Sequence, residues 1–146
     1  MGISSKNAPS TANVPLGVMV SATPVVADQL GISSQTDLTG LSVTWTAVTG
    51  RRYRITGTGE VTATAADGAW VVALTDAGNT QKKRATDACT TTSARSWTIE
   101  HEETGLSGSQ TRKLRMQKAG GSGTVGLSST TANNPATLTV EDIGNV

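Results

Sequence analysis

The chain has 146 residues, with 12 Lys and Arg against 11 Asp and Glu, for a net charge of +1. The length suits one domain, and the even balance of charge argues against nucleic acid or a membrane surface as a partner. Apolar residues make up 36%, aromatic residues 3%, and Phe is absent, so the core must be thin and built from Val, Leu, Ala and Thr. A thin core gives a monomer a poor ratio of buried to exposed surface, and burial between subunits is the expected remedy.

Residues 1–17, MGISSKNAPSTANVPLG, are rich in Ser, Asn, Pro and Gly and read as an arm. The expected division is residues 1–29 as arm and first strand, and residues 30–146 as the folded domain. Gly17 to Val26 reads as the first strand, with Val18, Val20 and Ala22 on one face. Pro24 puts it at a sheet edge or ends it. Gly31 to Asp37 reads as a lead-in to the stretch that organises the rest, Leu38 to Gly57. There Leu41, Val43, Trp45 and Ala47 alternate with Ser42, Thr44 and Thr46. Thr49-Gly50 turns, and Tyr53 and Ile55 alternate with Arg52, Arg54 and Thr56. Period-2 alternation is what a half-buried strand requires, and the turn predicts a hairpin. Gly59 marks a bulge or a close backbone approach, and Val61, Ala63 and Ala65 keep the inward parity.

Ala66-Asp67-Gly68 reads as a hairpin turn into a strand with Trp70, Val72 and Leu74 inward. Asp76 to Asn79 turns again. Thr80 to Thr86, with Lys82, Lys83 and Arg84 in succession, reads as an edge strand guarded by charge. A Thr-rich loop precedes Arg95 to Glu103, with Trp97 and Ile99 inward. Gly105 to Ser109 turns, Arg112 to Lys118 puts Leu114 and Met116 inward, and Gly120 to Gly123 reads as a hairpin turn. Val125, Leu127 and Ser129 form a short strand. Ala136 to Ile143 closes the chain, with Leu138 and Val140 inward. About eight to ten short strands and no helix predict an all-β fold, a β-sandwich or jelly roll with an extended N-terminal arm.

Candidate chemistry is sparse. His101 lies in Glu100-His101-Glu102-Glu103, but a strand splits these residues between two faces, too few per face for a metal. Gly105-Leu106-Ser107-Gly108-Ser109 lacks the last Gly of a nucleophile elbow. Gly120-Gly121-Ser122-Gly123 lacks the Lys of a phosphate loop. Glu100, Glu102, Asp28 and Asp37 could be paired as glycosidase carboxylates only if the fold brought them together. Arg51, Arg52 and Arg54, with Lys82, Lys83 and Arg84, are expected in polar contacts between subunits. Cys89 is the only Cys, so neither an internal disulfide nor a thiolate zinc site is open to it. No leader peptide, membrane span, myristoylation signal or glycosylation sequon is read, and assembly in a reducing cytoplasm is expected. No catalytic residue, cofactor or metal is assigned. A carbohydrate-binding or hydrolytic module would need exposed aromatics, and Trp45, Tyr53, Trp70 and Trp97 all carry inward parity.

The run from Asp37 to Val48 and that from Gly50 to Gly57 resemble small β-rich virion proteins of tailed bacteriophages, many of which infect actinobacteria. Ala66-Asp67-Gly68, Leu74-Thr75-Asp76, Gly123-Thr124-Val125 and the closing Leu138 to Gly144 match in type and order. The resemblance covers residues 30–144. It implies a non-enzymatic structural protein of the virion and a homotrimer. A capsid decoration protein bound to the major capsid protein is the expectation, with a minor tail or receptor-binding protein as the alternative. Residues 1–29 fall outside the resemblance. Ile3, Val14, Leu16 and Val18 are spaced as separate anchors along an extended segment, and are the expected assembly contacts.

Overall fold

In the computed structural model the described residues are 16–129 and 134–146. They form ten strands and no helix: β1 (Gly17–Ser21), β2 (Gln29–Ile32), β3 (Thr36–Ala47), β4 (Arg51–Ala63), β5 (Ala69–Asp76), β6 (Gln81–Ala88), β7 (Arg95–Glu103), β8 (Gly108–Gly120), β9 (Val125–Ser128) and β10 (Thr137–Asn145). All pairings are antiparallel, and the strands divide into a six-stranded and a four-stranded sheet. The protein is an all-β sandwich, as the alternation predicts.

The six-stranded sheet is simpler than its count. Along one edge β4 pairs with β7, from Tyr53 to Val61. Its other edge is shared, since β10 covers Arg51 to Thr58 and β9 covers Glu60 to Ala63. β9 and β10 are therefore one line of chain interrupted between Ser128 and Thr137. β1 pairs with β10 and β2 with β9, with a Val25–Ala136 bridge between them, so β1 and β2 are also one interrupted line. Ten elements less two interruptions leave eight strands, four in each sheet. Numbered in chain order, they pair 1–8, 2–7, 3–6 and 4–5. This nesting is what one long hairpin gives when it is rolled into two layers.

The rolled arrangement corrects the expected hairpins. Val48 to Gly50 joins β3 to β4, which lie in opposite sheets and do not pair. Residues 64–68, 104–107 and 121–124 likewise carry the chain from one sheet to the other. Among consecutive elements only β5 and β6 form a hairpin, closed by the Asp76–Asn79 turn. Alternation fixes which side chains face inward, but both sheets face the same core. A turn between two alternating runs therefore fits an arch as well as a hairpin. At the first arch Trp45 and Tyr53 meet across the core, ring centroids 5.7 Å apart. The Val48 N–H donates to Tyr53 Oη at 2.8 Å, and the Val48 carbonyl accepts from the Arg51 N–H. Two other arches interlock. Thr64 and Thr124 exchange hydrogen bonds, and the Asp67 carboxylate accepts from the Ser122 N–H and hydroxyl, which holds that carboxyl below its ordinary range.

The inward sets are buried as the parity predicts. Leu41, Val43, Trp45, Ala47, Tyr53, Ile55, Val61, Ala63, Trp70, Val72, Leu74, Trp97, Ile99, Leu114, Met116, Val125, Leu127, Leu138 and Val140 form one core. β5 departs from simple alternation, because Val71, Ala73 and Thr75 on its outer side are buried as well. Ala73 lies in register between Arg84 of β6 and Arg115 of β8. Gly31 and Ile32, read as part of a lead-in, belong with Gln29 and Leu30 to the short strand β2. In β1 the register shifts between Val18 and Val20, so Val18 is exposed while Val20 packs on the core.

Candidate functional site

Inward polar residues are the first place to look for chemistry. β7 and β8 each send one charge inward, Glu103 and Arg112, and the arch between them sets the two side by side. Arg112 Nε donates to Glu103 Oε1 at 3.0 Å and Oε2 at 3.1 Å, and Nη2 makes a further close bond to Oε2. Nη1 donates to the Thr111 carbonyl at 2.7 Å. The guanidinium also lies 5.5 Å from the centre of the Trp45 ring, within cation–π range. His101 shares the inward side with Glu103, as its parity predicts, its Nε2 3.5 Å from Oε1. Arg112 occupies both Glu103 oxygens, so this carboxylate serves as an electrostatic tie between the sheets and not as a free base.

A second pair closes the end of the sandwich near the C-terminus. Asp142 is 1% exposed. It accepts from Arg51 Nε at 2.7 Å, Arg51 Nη2 at 2.5 Å and the Gly144 N–H at 2.9 Å, while Arg51 Nη1 donates to Asn145 Oδ1. Burial alone would raise the Asp142 carboxyl, but the bonds from Arg51 and Gly144 outweigh it and hold the group low. The bond to Asp142 likewise raises the Arg51 guanidinium.

These contacts revise the basic patch. Arg51 is engaged by Asp142, Arg54 pairs with Glu102, and Lys82 pairs with Asp76. Three of the six cations read as subunit contacts, Arg51, Arg54 and Lys82, thus have partners within their own chain. The scattered carboxylates do not converge. Glu100 and Glu102 lie beside Arg54 on the outer side of the six-stranded sheet. Asp37 lies on the outer side of the other sheet, where hydrogen bonds from Lys113 Nζ at 2.7 Å and Arg115 Nε at 2.6 Å hold it below its ordinary range. Asp28 accepts from the Ser129 N–H. Ser107 sits in the arch before β8, its carbonyl accepting from Gln110, and no hydrogen bond among the described residues links it to His101. Cys89 is buried, and desolvation raises its thiol. Among the described residues no group of three or more His, Cys, Asp and Glu could hold a metal ion.

A shallow recess of about 190 Å³ is lined by Leu30, Thr62, Thr64, Thr124, Val125 and Gly126. No aromatic ring lines it. Of the expected assembly contacts, Ile3 and Val14 lie outside the described residues. Leu16 is 65% and Val18 59% exposed, on or beside the edge strand β1. No protein-family model and no curated protein matches the chain.

Proposed function

We propose that this chain is a non-enzymatic structural protein of a tailed-phage virion, a homotrimeric decoration protein of the capsid with a jelly-roll sandwich. The observation that carries this reading is the nested pairing 1–8, 2–7, 3–6 and 4–5 across two four-stranded layers, the order a jelly roll has. The resemblance of residues 30–144 to small virion proteins supports the same reading. So does the use of buried charge, because Arg112–Glu103 and Arg51–Asp142 neutralise each other inside the fold. The sandwich is what such a protein displays, and the N-terminal arm is what attaches it to the major capsid protein.

The arm places Ile3, Val14 and Leu16 singly among polar residues, glycines and prolines, and Val18 opens the run Val18-Met19-Val20. Such a segment buries too little apolar surface to fold alone, and Pro9 and Pro15 reduce the entropy lost when it docks. The test is to add purified protein to particles lacking it and to sediment them. Full-length protein is expected in the pellet, and protein lacking residues 2–16 in the supernatant with its sandwich folded. Equal sedimentation of both forms overturns the arm as anchor. Failure of the full-length protein to bind particles overturns the capsid reading.

A further inference from the structure

We propose that copies of this chain associate head to tail, the outer side of β6 on one copy against the outer side of β7 on the next, an inference that rests on the trimeric reading above and names its interface. The two layers of the sandwich turn faces of opposite charge to solvent. On the outer side of the four-stranded sheet the strands carry Arg84, Lys113 and Arg115 against Asp37. On the outer side of the six-stranded sheet they carry Glu60, Glu100, Glu102 and Glu141 against Arg52 and Arg54.

Pairing within the chain leaves a surplus of each sign in one place. Asp37 lies on β3, at the edge farthest from β6, and both Lys113 and Arg115 bond to it. Arg84 on β6 is exposed and has no ion-pair partner among the described residues. On the other sheet Arg54 is shared between Glu102 at 3.2 Å and Glu100 at 3.9 Å, so one cation serves two carboxylates. The Glu100 side chain is 58% exposed. β6 and β7 are edge strands of different sheets and lie beside each other on one flank. Residues 89–94 join the end of β6 to the start of β7, so the two strands run side by side away from that connection. At about 3.3 Å per residue, Arg84 stands about 13 Å and Glu100 about 17 Å from it. A rotation axis parallel to the strands preserves this height, which sets Arg84 of one copy opposite Glu100 of the next.

Charge complementarity selects the occupant. The match for a cationic β6 is an anionic strand edge at the same height, and every copy of this chain carries one in β7. Either face laid on its own kind sets like charges together, which is costly and excludes that pairing. The contact is therefore heterologous, joining two different patches, and a heterologous contact that closes makes a ring. With this flank toward a three-fold axis, β6 of each copy meets β7 of the next at all junctions alike. The charge that guards β6 against unrelated strands thus admits the one edge that answers it. The N-terminal arm takes no part in this contact.

The experiment measures the mass of the full chain by light scattering from about 1 to about 50 µM, an ordinary range for subunit association. Wild-type protein is expected at three times the chain mass. Arg84→Glu and Glu100→Lys each set like charges against each other, and each is expected to associate at least ten-fold more weakly. The double variant Arg84→Glu, Glu100→Lys exchanges the two signs and is expected to regain the wild-type mass. Ser42→Glu, Thr46→Glu changes the net charge as much as Arg84→Glu does, at exposed positions of the far edge strand β3, and is expected to stay trimeric. Circular dichroism checks that each variant is folded. If a reversed-charge variant is not, the wild-type protein is compared in about 0.05 and about 1 M NaCl, with at least ten-fold weaker association expected in the higher salt. A trimer indifferent to both single reversals or to salt, or a double variant that stays dissociated, overturns this interface and leaves the trimeric reading standing. A wild-type monomer across the range overturns both. A monomer whose sedimentation with particles is lost in Arg84→Glu assigns β6 to the capsid and overturns the contact between copies. A trimer that does not sediment with particles overturns the capsid reading alone.

Discussion

Arg112 and Glu103 form an ion pair whose side chains are 3% and 8% exposed. Taking two charges out of water costs several kcal/mol per ion, which their mutual attraction and hydrogen bonds offset only while both are present. Removing one partner leaves the other buried and unpaired. Arg112→Met is therefore expected to destabilise the fold by about 3–5 kcal/mol, while Arg112→Met, Glu103→Leu should recover most of that loss. Urea unfolding at neutral pH measures both. A double variant as unstable as the single one would show that the Arg112 stem and its contact with Trp45 matter more than its charge. This pair was legible in the sequence. Arg112 shares the parity of Leu114 and Met116, and Glu103 that of Trp97 and Ile99. A reading that looks only for apolar residues at inward positions passes over both. The bonding of Arg51 to Asp142 was less legible, because it joins residues at opposite ends of the sandwich sequence and no local pattern records the pairing of β4 with β10.

At the scale of elements, β4 does more than its alternation shows. It pairs with three strands, and its inner side reads Tyr53, Ile55, Gly57, Gly59, Val61, Ala63. The two glycines make room for large side chains from other strands. A Cβ at Gly57 would lie 2.9 Å from Leu114 Cδ1, and one at Gly59 2.6 Å from Trp97 Cζ2. Gly59 also falls between the last residue paired with β10 and the first paired with β9. Of the two sequence readings, bulge or close approach, the structure selects close approach. Gly59→Ala must push the Trp97 ring aside within a packed core, and overpacking of this kind costs about 1–3 kcal/mol. Combining it with Trp97→Leu, which removes the ring that the new methyl meets, should make the two changes cost less together than their sum. Additive costs would mean that the new methyl is accommodated by β4 moving and not by the ring. Strand positions were legible because period-2 alternation records burial directly. Strand partners were not, since an arch and a hairpin demand the same turn residues and the same inward parity. The Asp76–Asn79 hairpin and the Ala65–Gly68 arch look alike until the pairing is known.

For the whole molecule, nested pairing sets the order in which the chain can fold. The innermost pair, β5 with β6, is closed by a turn of a few residues. The outermost pairs Gly17 with Asp142 and Ser21 with Thr139, almost the length of the chain apart. Closing a longer loop costs more entropy before any contact repays it, and folds dominated by distant pairings fold in milliseconds to seconds. The rolled hairpin should therefore form from its closed end outward. β5, β6 and the strand β8 beside them should be structured in the transition state, and β10 with β1 should join after it. Two buried positions test this, Val72 on β5 and Leu138 on β10, both 0% exposed. Val72→Ala should lower the folding rate and leave unfolding nearly unchanged. Leu138→Ala should speed unfolding and leave folding nearly unchanged, because its contacts form late. Stopped-flow fluorescence of the three tryptophans, followed against urea concentration, gives both rates for each variant. If Leu138→Ala slows folding while Val72→Ala speeds unfolding, the two ends of the chain meet first. The roll would then close around a nucleus built from the first and last strands.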